Sequence, residues 1–165
     1  MTKTCASSRA NFNAFPINLG VSSGAGAIEK EAMELLDMFH RSITMAKHYE
    51  ETLKTIGEAI INNSEENWDG YGAQPVDAAA SHNAICFSRL LPINIPVPEI
   101  YVDTEGAITF EWYLAPRRVF SVTVRRNKEL AYAGLFGVNN THGIEHLYDE
   151  VPETILNNIL RVLSE

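Results

Sequence analysis

The chain has 165 residues, 45% of them hydrophobic, with two cysteines and a formal charge of -8. That length builds one core of ordinary domain size and not two. An isoelectric point near 5.1 argues against broad phosphate binding, which needs an excess of Lys and Arg to displace counterions, so nucleic acid is a disfavoured partner.

Cys5 and Cys86 are too few and too differently placed for a disulfide framework, and no charged-then-apolar leader or long apolar run marks secretion or membrane insertion. A reducing cytoplasm and no membrane contact are therefore expected.

In chain order, residues 1–24 are rich in Ser, Ala, Asn and Gly and show no periodic face, which predicts a flexible tail strapped down at Phe12 and Phe15. Residues 25–165 then form a single domain. Ile28, Ala32, Leu35, Phe39, Ile43, Ala46, Tyr49, Leu53, Ile56 and Ile60 recur at steps of three or four and predict one long amphipathic helix over 28–62. Ser22 or Ser23 suits its cap, Glu29 and Glu31 the positive end of its dipole, and Asn62-Asn63 its stop. The apolar stripe has close to coiled-coil spacing and is longer than a sheet of short strands can cover. It predicts a homodimer formed through this helix.

Asn67-Trp68-Asp69-Gly70-Tyr71-Gly72-Ala73-Gln74-Pro75-Val76 follows, two large aromatics set among glycines. Glycine admits backbone conformations barred to other residues, and the rings supply anchoring area. Trp68 and Tyr71 read as plugs that dock the loop on the sheet, against the sharper alternative of a recognition hot spot. Asp69 reads as a partner of loop amides rather than a base. Pro75 suits the first turn of a second helix, which continues through Ala79, Ile85, Phe87, Leu90 and Leu91 and ends at Pro92.

The period then changes. Residues 100–102, 107–114, 119–124 and 130–136 are short, β-branched and aromatic, with turn residues between them, and predict an antiparallel meander; 143–148 adds a short edge strand. In the second strand Ile108, Phe110, Trp112 and Leu114 share the buried face, against Thr109, Glu111 and Tyr113 on the wet one. Val151-Pro152 opens a last helix with Ile155, Leu156, Ile159 and Val162 or Leu163 inside. The fold class is α+β: a four- to five-stranded meander covered on one face by helices from both ends of the chain.

Several motifs carry chemistry. His142-Gly143-Ile144-Glu145-His146 spells H-x-x-E-H, in which two histidines one helical turn apart bind zinc and the glutamate acts as base. Gly143 and the preceding Asn139-Asn140-Thr141 disfavour a helix, and on a strand the histidines stand roughly 13 Å apart at about 3.3 Å per residue. Gly20-Val21-Ser22-Ser23-Gly24 fits G-x-S-x-G but lacks the preceding strand and doubly wound sheet of a nucleophile elbow. Gly24-Ala25-Gly26 lacks the Lys-Ser or Lys-Thr of a phosphate loop. Neither a catalytic residue nor a metal or other cofactor is assigned.

Arg117-Arg118 and Arg125-Arg126, with Lys128, flank the third strand and either grip phosphates or a carboxylate-rich partner or are merely solvated. On the long helix acids outnumber bases, and Glu50, Glu51 and Glu58 mark an acidic contact surface whose bland reading is a solvent face.

Trp68-Asp69-Gly70-Tyr71-Gly72-Ala73, Pro75-Val76, Leu91-Pro92, Pro96, Pro98-Glu99-Ile100 and Gly106-Ala107-Ile108-Thr109-Phe110-Glu111-Trp112, taken as a set, resemble a group of small uncharacterised bacterial proteins that share W-D-G-Y-G-A-x-P. The resemblance spans about residues 67–136 and leaves the long helix outside. It implies ancestry and no mechanism, and through an association with mobile or defence genes it points to partner binding.

The function expected is thus non-catalytic protein binding, antitoxin-like or inhibitory, with Trp68, Asp69, Tyr71, Glu50, Glu51, Glu58, Arg117 and Arg118 as candidate contacts. Its working surface would combine the acidic helix with the open side of the sheet. A small metal-dependent or acid-base enzyme using His142, Glu145 and His146 is the alternative, and nucleic-acid binding through the arginine turns is third.

Overall fold

A computed structural model of the chain describes residues 23–164, with side chains for 30–43 and 46–164. The tail as far as residue 22, with Phe12, Phe15, Cys5 and most of the G-x-S-x-G motif, lies outside the described residues. Three helices and five strands follow in the order α1 (Ser23–Asn62), α2 (Ala78–Leu90), β1 (Glu99–Val102), β2 (Ile108–Ala115), β3 (Arg118–Val124), β4 (Glu129–Phe136), β5 (Asn139–His146) and α3 (Glu153–Leu163). The chain divides into two units after Arg41, and α1 passes through the division.

The helix α1 begins at Ser23 rather than at the first periodic residue, Ile28. Periodicity reports which residues face a core, and the turn before Ile28 has no such residue to report. Beyond Ser42, Thr52 and Ile56 are buried at 4% and 1% exposure, and Ile56 enters the main core with Ile60 against it. The helix ends as expected at Asn62, where the Asn63 side chain donates through Nδ2 to the Ala59 carbonyl at 2.7 Å and satisfies one terminal acceptor.

The sheet is a simple meander, β1-β2-β3-β4-β5, antiparallel throughout. Its registers place Phe110 opposite Val122 and Trp112 opposite Phe120. Side chains alternate across a strand, so Ile108, Phe110, Trp112, Phe120, Val122, Val124 and Leu130 gather on one side, all of them buried. Leu114 departs from the expected face and is 48% exposed. A register shift between Tyr113 and Ala115 breaks the alternation there, so period-two extrapolation fails by one residue.

Strand β5 starts at Asn139, four residues ahead of the expected 143. Asn139-Asn140 reads as a turn in sequence, but Gly137 supplies the positive φ of 67° and the chain reverses at Gly137-Val138, pairing Phe136 with Asn139. Two glycines on the paired strands make room for rings. A Cβ on Gly134 would lie 2.7 Å from the Phe120 ring, and one on Gly143 would collide with the Tyr132 hydroxyl.

Helix α2, by contrast, starts later than expected. Asp77, in extended conformation, accepts from the amides of Ala79 and Ala80 at 2.8 and 3.0 Å and caps the helix, leaving Pro75 outside it. Phe87 of α2 meets Phe110 edge-on, with centroids 5.0 Å apart. In α3, Ile155, Ile159 and Val162 are buried and pack toward β2, β3 and β4. Burying each such aliphatic or aromatic side chain contributes about 1.5 to 3 kcal/mol.

Candidate functional site

The Trp68 loop is held by its own polar groups. Asp69 Oδ1 accepts from the amides of Tyr71 at 2.8 Å and Ala73 at 3.1 Å, while Asn67 Oδ1 accepts from the Gly72 amide at 2.7 Å. These amide bonds, Tyr71 first, hold the Asp69 carboxyl below the usual carboxylate range. A charge fixed in that way is a structural acceptor and a poor base.

Three further bonds tie the loop to its surroundings: Gln74 N to Thr104 O, Val76 N to Asn63 O and Asp77 N to Gly106 O, all between 2.9 and 3.0 Å. The W-D-G-Y-G-A motif thus joins the end of α1, the β1–β2 turn and the start of α2. Gly106, at φ 81°, lies so close under Pro75 that a Cβ would strike its carbonyl oxygen.

The expectation that both rings plug the loop is corrected for Tyr71, which is 95% exposed. Because the loop is closed by Asp69 and Asn67, it needs no second ring underneath. Trp68 is half-buried, and its Nε1 donates to the Gln74 carbonyl at 3.0 Å.

Glu50, Glu51 and Glu58 are exposed on α1. Glu58 lies 3.7 Å from Lys54, while Glu50 and Glu51 have no ion pair among the described residues. The arginines are largely committed to local structure. Arg117 Nε donates to the Gly137 carbonyl at 2.7 Å, and Arg118 Nη2 donates to the Val162 carbonyl at 3.0 Å and also to that of Ser164, closing the end of α3. Arg125 pairs with Glu129 at 3.4 Å, and Arg126 lies 4.0 Å from Asp77. The two arginine pairs sit at opposite ends of β3, roughly 20 Å apart at about 3.3 Å per residue, so they do not form one basic patch.

His142, Glu145 and His146 all lie on β5. Both histidines are exposed while Glu145 is half-buried on the other side of the strand, an arrangement different from the helical zinc motif. Among the described residues no group of three His, Cys, Asp or Glu is placed to hold a metal ion.

The open side of the sheet carries Tyr101, Tyr113, Leu135 and Ile144, each between 42% and 58% exposed. Glu99 accepts from the Tyr101 hydroxyl and pushes that phenol up to about 12.

Sequence reasoning missed a groove of about 370 Å³ between Tyr49 and Thr52 of α1, Ser88 and Arg89 at the end of α2, and the segment from Leu91 to Pro98. Its signal in the sequence is faint: one arginine closing a helix just before a proline-rich stretch. No protein-family model, curated protein or solved structure matches the chain in comparison.

Proposed function

We propose that this chain is a non-catalytic protein-binding module, acting in the manner of an antitoxin or inhibitor and paired as a homodimer through α1. One observation carries this reading. Met33, Leu35, Leu36, Met38, Phe39 and Ile43, successive large apolar residues of α1, are all between 50% and 66% exposed. Leu35, Phe39 and Ile43 stand one turn apart, and Leu36 lies two turns before Ile43, so they make a stripe. Monomers seldom leave such a contiguous patch in water, and burying it favours association.

The sheet, covered on one face by α2, α3 and the second stretch of α1, is the scaffold. Ile56 anchors that stretch in the same core as Phe110 and Val122. Glu50, Glu51 and Glu58 therefore belong to the helix side, and the open sheet face meets solvent on the other. The acidic residues would steer a basic or neutral partner, and the apolar stripe would hold the complex.

Light scattering at tens of micromolar tests the pairing. A dimer is expected for the parent and a monomer for the double variant Leu35→Lys, Phe39→Lys; a parent that stays monomeric defeats the homodimer. Charge reversal at Glu50, Glu51 and Glu58 should weaken capture of the native partner while leaving the circular dichroism unchanged, and undiminished capture defeats the acidic surface.

A further inference from the structure

We infer that the groove beside Arg89 is a binding site for a small organic acid, an aromatic monocarboxylate whose ring lies among the prolines and whose carboxylate meets the guanidinium. The site is independent of the α1 stripe. Its apolar walls include Tyr49, Leu91, Ile93, Pro96 and Pro98, and besides Arg89 its polar lining is His48, Thr52 and Ser88. About 370 Å³ lies at the small end of the range for ligand pockets, suited to one or two fused rings.

The pocket is preformed. Trp112 Nε1 donates to the Pro96 carbonyl at 2.9 Å, Ile95 N donates to the Pro92 carbonyl at 3.1 Å, and Ile95 is itself 2% exposed, so the proline wall is pinned to the core. Arg89 is held from the other side, where its Nε donates to the Tyr49 hydroxyl and its guanidinium carbon stands 5.7 Å above the Tyr49 ring. Ser88 and Thr52, both buried, donate their hydroxyls to the carbonyls of Ile85 at 2.8 Å and His48 at 3.1 Å, so these donors are spent within their helices and a carboxylate must look to the guanidinium.

Charge selects the ligand. In a chain of net charge -8, Arg89 forms no ion pair among the described residues, whereas five of the ten other described arginines and lysines pair with an acid. Its Nε is taken by Tyr49, and the two Nη groups are the donors left for an acceptor from outside. A planar guanidinium receives a carboxylate through parallel N–H bonds, and a flat ring fits against tyrosine and proline faces.

Titration with 2-naphthoate and with neutral 2-naphthamide, followed by calorimetry, tests the site. Naphthoate should bind saturably, and the amide about tenfold or more weakly, as befits the loss of a charged hydrogen bond. Arg89→Gln should weaken naphthoate to the level of the amide. Ile93→Trp, at a position 42% exposed, should close the groove to both without touching the core. Equal affinity for acid and amide, an Arg89→Gln variant that binds like the parent, or no heat from either probe would each overturn the assignment. Should Arg89→Gln fail to fold, the acid-to-amide ratio on the parent still tests the charge, and an Ile93→Trp variant that binds naphthoate like the parent would equally overturn the assignment.

Discussion

The two stretches of α1 differ in what covers them although they share one periodicity. From Met33 to Ile43 the large apolar residues are at least half exposed, whereas Ile56 is 1% exposed and Thr52 4%. Apolar spacing is a statement about which side of a helix prefers to leave water. It says nothing about what, in the same chain, is there to receive that side. In the second stretch Ile56 enters the main core, and for the first a second molecule is the cover proposed above.

The largest expected effect separates them directly. Ile56→Ala should lower stability by about 2 to 5 kcal/mol in urea denaturation, because it empties a filled position in the core. Leu35→Ala should leave the same midpoint within about 0.5 kcal/mol under conditions where the protein is monomeric. Equal losses from the two would break the comparison.

The next effect concerns association. Phe39→Ala, 63% exposed in one chain, should raise the dimer dissociation constant by at least about fivefold when measured by concentration-dependent light scattering, since truncating an interface aromatic anchor costs more than about 1 kcal/mol. An unchanged constant would place the contact elsewhere.

A smaller effect sits in the loop that follows the covered stretch. Asp69 has its carboxyl lowered by the amides of Tyr71 and Ala73. A depressed folded value means that its contribution to stability is present above the unfolded carboxylate value and disappears as the pH falls through the folded one. Asp69→Asn should therefore be less stable than the parent near neutrality, and the two should converge in acid. Parallel stability curves down to acid would remove Asp69 from the account.

The smallest contrast is within the motif itself. Trp68→Ala should cost less than the roughly 3 to 5 kcal/mol of a fully buried indole, because Trp68 is only half-buried, yet clearly more than Tyr71→Ala. Tyr71 is 95% exposed, and its truncation should stay within about 0.5 kcal/mol of the parent. A large loss at Tyr71 would restore it as a plug.

Local chemistry made much of this molecule legible in its residues alone. Alternation in Ile108-Thr109-Phe110-Glu111-Trp112 marks a half-buried strand, the turn residues between the strands imply a meander, and Asp69 among glycines implies an acceptor for nearby amides. Each depends on neighbours within a few positions, where backbone geometry is dictated by residue type. The α+β class and the order of the elements follow from the same signals.

Other features escaped those signals. The bulge after Tyr113 turns Leu114 outward, the Gly137-Val138 reversal lengthens β5, and Asp77 displaces Pro75 from the start of α2. Arg118 closes a helix 44 residues away, and Arg89 finds Tyr49 across 40 residues to line a groove that no motif announces. Such contacts depend on how whole elements pack. Spacing along one chain carries no record of the distance between two of its helices, so only the tertiary structure could bring these groups together.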